Sequence, residues 1–131
     1  MKCVVVTPEG SCVDQEVKFV VVPLYDGEYG IGAGHAPVVG RVGSGEMRMT
    51  LGDGAVLRWY VEGGFVEVVD DVVSVLTDSA CELKSLDLTA AQEEFDKAVA
   101  MKSSPLLTDD KTRAVERARA KVRAARKAAS L

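Results

Sequence analysis

The sequence predicts an α+β fold, mainly β. An antiparallel β part over residues 1–85 precedes an antiparallel two-helix hairpin over residues 86–131. Three observations carry this. All 12 Gly lie between Gly10 and Gly64. Of 22 Val, 19 precede residue 86, whereas 11 of 15 Ala follow it. Val is stiff at its branched carbon and suits a pleated sheet, while Ala gives up no side-chain entropy in a helix. Turn residues also recur through the first part at intervals of about 8–12 residues, the rhythm of an antiparallel sandwich or barrel.

Within the β part, Cys3–Val6, Val17–Val22, Met47–Thr50, Leu57–Val61, Phe65–Val69 and Val72–Leu76 are rich in Val and aromatics and read as strands. Met47-Arg48-Met49-Thr50 and Arg58-Trp59-Tyr60-Val61-Glu62 alternate, as a half-buried strand does. Val17–Val22 is more continuous, which predicts cover on both faces. Gly52-Asp53-Gly54, Gly63-Gly64, Asp70-Asp71 and Asp78-Ser79 supply the turns. Asp53-Gly54 is a hairpin signal because both positions tolerate positive φ.

The α part begins near Ser85–Asp87. Thr89 and Gln92 have capping-box spacing, and Asp87 is the other candidate cap. Leu88, Ala91, Phe95, Ala98 and Val99 form one stripe. Ser103-Ser104-Pro105 breaks it, since Pro disfavours helical geometry in the residue before it. Thr108-Asp109-Asp110 offers a cap and two acids for a second helix. Val115, Ala118, Val122, Ala125 and Ala129 then make a narrow seam of small residues, suited to packing against a neighbouring helix.

Charge is segregated too. The net charge is −4. Residues 111–131 carry eight cations against one acid, Glu116, while the acids dominate residues 1–110. Such a tail suits a phosphate backbone, an anionic membrane or an acidic protein patch, or is a solvated helix face. Catalytic constellations fail. The three Cys, at positions 3, 12 and 81, form no CxxC pair, and His35 is the single His, so neither a disulfide framework nor a metal site is expected. No apolar run approaches a membrane span and no leader pattern opens the chain, so a reducing, cytosolic compartment is the default. Gly30-Ile31-Gly32-Ala33-Gly34 lacks the third glycine of a dinucleotide loop, where His35 stands. Ser44 sits in a turn and not in a nucleophile elbow. Adjacent acids such as Asp70-Asp71 diverge and read as turns.

What remains is Gly27-Glu28-Tyr29-Gly30-Ile31, then Gly34-His35-Ala36-Pro37-Val38-Val39, then Gly45-Glu46-Met47-Arg48, and further on Glu62-Gly63-Gly64-Phe65 and Val73–Asp78. In order and spacing this resembles the epsilon subunit of the F-type ATP synthase, called delta in mitochondria, over nearly the whole chain. The resemblance implies a β-sandwich of about ten strands (1–85) and a helical hairpin (86–131). It implies a non-catalytic central-stalk subunit bound to the gamma subunit and resting on the c-ring, peripheral at the cytoplasmic face of the bacterial inner membrane. Residue by residue, Glu28, with Tyr29 and Gly30, matches the c-ring contact, and His35, Ala36 and Pro37 match the gamma contact. Gly27, Gly30 and Gly34 would hold this segment as a loop with tight turns. In an extended, inhibitory hairpin, Arg113, Arg117, Arg119, Lys121, Arg123, Arg126 and Lys127 would meet an acidic segment of the β subunits.

The chain departs from the family pattern at Ala33, where Pro is usual, and at Pro23-Leu24-Tyr25. Some relatives bind ATP through an L/I-D-x-x-R-A motif. Here Asp87 and Ala91 are kept but Ala90 replaces the arginine, which counts against ATP sensing, and no cofactor is expected. A small barrel that binds nucleic acid through its basic tail is the alternative, opposed by an acidic β part and aromatics of only 5%. A standalone enzyme is opposed by the lack of any convergent motif.

Overall fold

The computed structural model describes residues 1–101 and 108–131. The expected break at Ser103-Ser104-Pro105 lies outside the described residues. The chain divides into two compact units, Met1–Glu82 and Leu83–Leu131.

The first unit holds ten strands: β1 (Lys2–Thr7), β2 (Gly10–Glu16), β3 (Phe19–Leu24), β4 (Gly27–Gly32), β5 (Val38–Arg41), β6 (Ser44–Thr50), β7 (Val56–Glu62), β8 (Phe65–Val69), β9 (Val72–Leu76) and β10 (Ser79–Glu82). They form two five-stranded sheets, ordered β2-β1-β9-β8-β5 and β10-β7-β6-β3-β4. Every pairing is antiparallel except β1 with β9, which runs parallel. Burial alternates where the sequence does: Met47 and Met49 are fully buried, and so are Val66 and Val68 of β8 and Val73 and Val75 of β9. These join Val5, Val20, Val22 and Ile31 in one core cluster between the sheets.

Three expectations are corrected. The run Val17–Val22 becomes a strand only at Phe19 and alternates, with Val20 and Val22 buried and Val21 half-covered. β3 therefore gives one face to the core. Tyr60 and Val61, which should alternate, are both buried. At Asp53-Gly54 the hairpin forms, but only Gly54 takes a positive φ, of 89°. Leu51 N–H donates to Ala55 O at 2.8 Å, and Asp53 Oδ1 accepts from Ala55 N at 2.9 Å. This makes a three-residue loop closed by a left-handed Gly. The tight two-residue turn lies instead at Asp70-Asp71, with φ of 49° and 64°, between paired Val69 and Val72.

The sheets are joined at corners. Gly63-Gly64 carries the chain from β7 to β8. At the crossing from β9 to β10, the buried Thr77 hydroxyl donates to Glu62 O at 3.0 Å and accepts from Glu62 N at 3.2 Å. The half-buried backbone groups of Glu62 are thereby satisfied by a side chain.

In the second unit a 3-10 turn, Leu83–Ser85, leads into α1 (Leu88–Ala100) and α2 (Thr108–Ala129). Asp87, and not Thr89, is the N-cap of α1, its Oδ1 accepting from Thr89 N at 3.0 Å. Asp109 and Asp110 occupy the first turn of α2, where its dipole favours acids. Contacts run in opposite order along the helices, Glu94 to Lys121 and then Phe95 to Arg119, so the pair is antiparallel. Ala91, Val122 and Ala125 are buried together, with Leu86 and Phe95 against them. The seams differ at their ends: Leu88, Val99 and Ala129 are exposed, whereas Ala120 and Ala124 are buried.

Candidate functional site

The Gly27–Gly32 segment forms edge strand β4 and not a loop. Gly30 has no positive φ; its role is steric. A Cβ there would lie 2.8 Å from Phe19 Cζ, because the Phe19 ring on neighbouring β3 lies over Gly30 and Gly32. Alternation along β4 separates the residues grouped by sequence. Tyr29 turns inward against the core cluster, while Glu28 stays exposed on the outer face.

On that outer face four charges form a ladder. Glu28 Oε2 lies 2.9 Å from Arg48 Nη2, Arg48 Nη1 lies 2.8 Å from Glu46 Oε1, and Arg58 Nη1 lies 3.3 Å from Glu46 Oε2. The Glu46 side chain is only 7% exposed. Its hydrogen bond, with the nearby Glu28 charge, raises the Arg48 pKa further above the ordinary arginine value.

Beyond β4, Tyr29 and His35 meet. His35 Nδ1 lies 2.6 Å from Ala36 O and Nε2 lies 2.8 Å from Tyr29 Oη. A carbonyl can only accept, so the ring donates from Nδ1; in the neutral imidazole Nε2 then accepts from the Tyr29 hydroxyl. Gly34 N–H donates to Asp71 Oδ1 at 2.8 Å. That bond holds the Asp71 carboxyl below the usual aspartate range. The loop is thus tied to the β8–β9 turn, and Ala36 and Pro37 stand exposed at its tip.

The loop leads into β5, an edge strand of the first sheet, whose outer face carries exposed apolar side chains. Val39 is 70% exposed, Phe65 57% and Leu76 54%. Phe65 pairs directly with Arg41 and with Leu76, so these side chains share one face. These exposed apolar groups are interleaved with charged ones, since Val39 stands opposite Glu67 and Phe65 opposite Arg41, and the face is a candidate contact surface. Sequence reading missed the patch because β8 and β9 carry apolar residues on both faces, which hides the exposed set among the buried one.

In the helical unit, Arg113, Arg117, Arg119, Arg123, Arg126 and Lys127 are exposed and Lys121 is half-buried. Several are engaged within the hairpin. Lys121 Nζ lies 3.1 Å from Glu94, Arg113 lies 3.8 Å from Asp110, and the Arg119 guanidinium lies 5.8 Å from the Phe95 ring centre. Arg126 lines an open cleft of about 340 Å³ with Leu88, Thr89, Gln92 and Glu93. A triphosphate would meet one guanidinium there beside an opposing carboxylate, and Asp87 is committed to its cap. Among the described residues no group of three or more His, Cys, Asp or Glu could hold a metal ion, and no helix is long and apolar enough to cross a membrane.

Residues 1–83 match the model of the ATP synthase, Delta/Epsilon chain, beta-sandwich domain. The chain is 44% identical over 127 residues to the ATP synthase epsilon chain of Rhodopirellula baltica, covering 96% of this chain and 98% of that one. The chain belongs to the ATP synthase delta/epsilon chain family. The family's epsilon chain from Syntrophomonas wolfei is 35% identical over 126 residues, covering 94% of this chain and 92% of its own. The sodium ion specific epsilon chain of Propionigenium modestum is 32% identical over 114 residues, covering 87% and 81%. Among solved structures, a chain of the Euglena gracilis mitochondrial ATP synthase OSCP/F1/c-ring assembly has a TM-score of 0.80 at 22% identity, covering 98% of this chain and 80% of that one. A chain of the Tetrahymena thermophila central stalk/c-ring has a TM-score of 0.70 at 14% identity, covering 98% and 95%. Both share the fold.

Proposed function

We propose that this chain is the non-catalytic central-stalk subunit of a rotary ATP synthase, carrying torque between the c-ring and the gamma subunit. The observation that carries the reading is the 44% identity to an epsilon chain along 96% of the sequence. The exposed face of Val39, Phe65 and Leu76 supports a gamma-binding surface, continuous through β5 with His35, Ala36 and Pro37. The exposed carboxylate of Glu28 on edge strand β4 supports the c-ring contact, with Gly30 on the same face. Tyr29 serves the gamma-side loop through His35. The complex holds the chain at the cytoplasmic face of the bacterial inner membrane without insertion of its own.

The hairpin is a regulator. Its cations Arg113, Arg117, Arg119, Lys121, Arg123, Arg126 and Lys127 exchange internal partners for an acidic segment of the β subunits when it extends. Exposed pairs are worth only about 0–1 kcal/mol each, so the exchange is nearly balanced and several pairs together bias it.

Co-expression with the cognate gamma subunit tests the core of this reading: a stable complex is expected, and none in F65S. Failure of the native chain to co-purify with gamma sinks the proposal. Deleting residues 87–131 should raise ATP hydrolysis by the assembled complex; an unchanged rate removes the inhibitory role alone.

A further inference from the structure

We infer that Arg48 is the positioning residue for Glu28, setting the carboxylate of edge strand β4 in one orientation before a partner arrives. The inference rests on the reading of Glu28 as a partner contact. It adds a residue two strands away and a mechanism.

Glu28 is 59% exposed on a strand with one neighbour. Left alone, a glutamate there samples many rotamers, and a partner must freeze them. The register supplies the alternative. Val21 of β3 pairs with Arg48 on one side and Gly30 on the other, while Pro23 pairs with Glu28. Directly opposed residues share a face, so Arg48 crosses the outer surface of β3 to reach Glu28. The distance is two strand spacings, roughly 10 Å, which a long side chain spans when the residues it passes over are small. Val21 and Pro23, the residues it passes over, are short, and the space over Gly30 beside the path is filled by the Phe19 ring.

The guanidinium is anchored before it reaches the edge. Nη1 binds Glu46 at 2.8 Å, and Glu46 is 7% exposed and also held by Arg58 at 3.3 Å. A guanidinium is a rigid planar fork. With one tine on a buried carboxylate, the direction of the other, Nη2, is set, and it meets Glu28 Oε2 at 2.9 Å. Oε1 is left to a donor from outside, so the partner chemistry is a cationic or amide-bearing loop. Sign alternates along the ladder, Glu28, Arg48, Glu46, Arg58, so the anchor leaves no uncompensated charge.

The test is a double-mutant cycle in the full-length chain. R48Q leaves Glu46 its Arg58 partner and should fold. R48K keeps the charge but removes the fork. In the chain alone, three-bond couplings at the Glu28 side chain should report one χ1 rotamer in the native protein and averaging in both Arg48 variants. A single rotamer in R48Q overturns the inference. In complexes of the chain with gamma, affinity for detergent-solubilised c-rings should fall roughly three- to tenfold in R48Q, the share of one side chain's ordering. It should fall at least as far in E28Q and no further in R48Q/E28Q. Additive losses overturn the positioning role, because Arg48 then acts elsewhere. Unchanged affinity in E28Q overturns the ring-contact reading instead, and the rotamer measurement still decides the positioning.

Discussion

Gly64→Ala should be the most damaging conservative change at the sheet corners, and its cost follows from geometry. Gly64 sits where the chain leaves β7 in one sheet for β8 in the other, at φ +101°. A Cβ built there would lie 1.8 Å from Leu76 O and 2.8 Å from Thr77 Cα, both backbone atoms. The corner cannot drift away, because Val42 N–H donates to Gly64 O at 2.8 Å and Gly63 N–H to Gly43 O at 3.0 Å. The left-handed conformation costs a residue with a Cβ about 1–2 kcal/mol. Forcing backbone apart in a packed region adds about 1–3 kcal/mol. Together about 2–5 kcal/mol is expected. Trp59, the single Trp, packs on the sandwich core from β7 and reports its unfolding. With a urea m-value of about 1–3 kcal/mol/M, the fluorescence midpoint should fall by at least about 0.7 M. Gly52→Ala is the control, since its Cβ meets nothing within 4 Å, and should change stability by less than about 0.5 kcal/mol. Midpoints for the two variants within about 0.3 M of each other would refute the steric account of the corner.

The other predictions concern the loop, the thiols and the hairpin. Asp71 has its folded pKa depressed, so the stabilisation it gives the loop is present above the unfolded value and is lost as pH falls through the folded value. The Gly34 amide proton shift should therefore titrate below the ordinary aspartate range, and D71N should abolish that titration while keeping the left-handed turn. Burial pushes the Cys3 thiol up to about 12, so at pH 8 a disulfide reagent should label exposed Cys12 quickly and Cys3 only after unfolding. K121A should loosen the hairpin by about 0–1 kcal/mol, read from helix CD on heating, and 1 M salt should erase the difference from the native chain.

The sequence showed the interior strands and hid the edges. β6, β8 and β9 announce themselves because each has neighbours on both sides and a row of buried Val or Met. β2, β4, β5 and β10 went unread as strands, and they are the four edge strands of the two sheets. β2 buries only Val13, and β4 is half glycine with Ile31 as its one buried residue. An edge position asks for little apolar surface and is often charged, so the periodic signal fades there. The sequence left the cap of α1 open between Thr89 and Asp87, and it hid the buried Ala120 and Ala124. Two residues compete for one cap, and alanine carries too little hydropathy to mark which faces of α2 are covered.

The candidate contacts lie along those same edges. Glu28 is on β4, Val39 is on β5, and the loop bearing His35, Ala36 and Pro37 joins the two strands across the sandwich. An interior strand spends both backbone rows on its neighbours and one face on the core. An edge strand keeps a backbone row and a side-chain face available, and so can meet another protein without disturbing the fold. The cost is disorder, since an edge has fewer neighbours to hold its side chains. Here that cost is met from inside: Arg48 reaches Glu28 from β6, and Asp71 holds the loop from the β8–β9 turn. The proposed torque-carrying role would need contacts that do not give under load. Anchoring exposed edge residues to charged groups on an interior strand and a tight turn supplies that stiffness, whereas a loop of Gly and Pro alone would not.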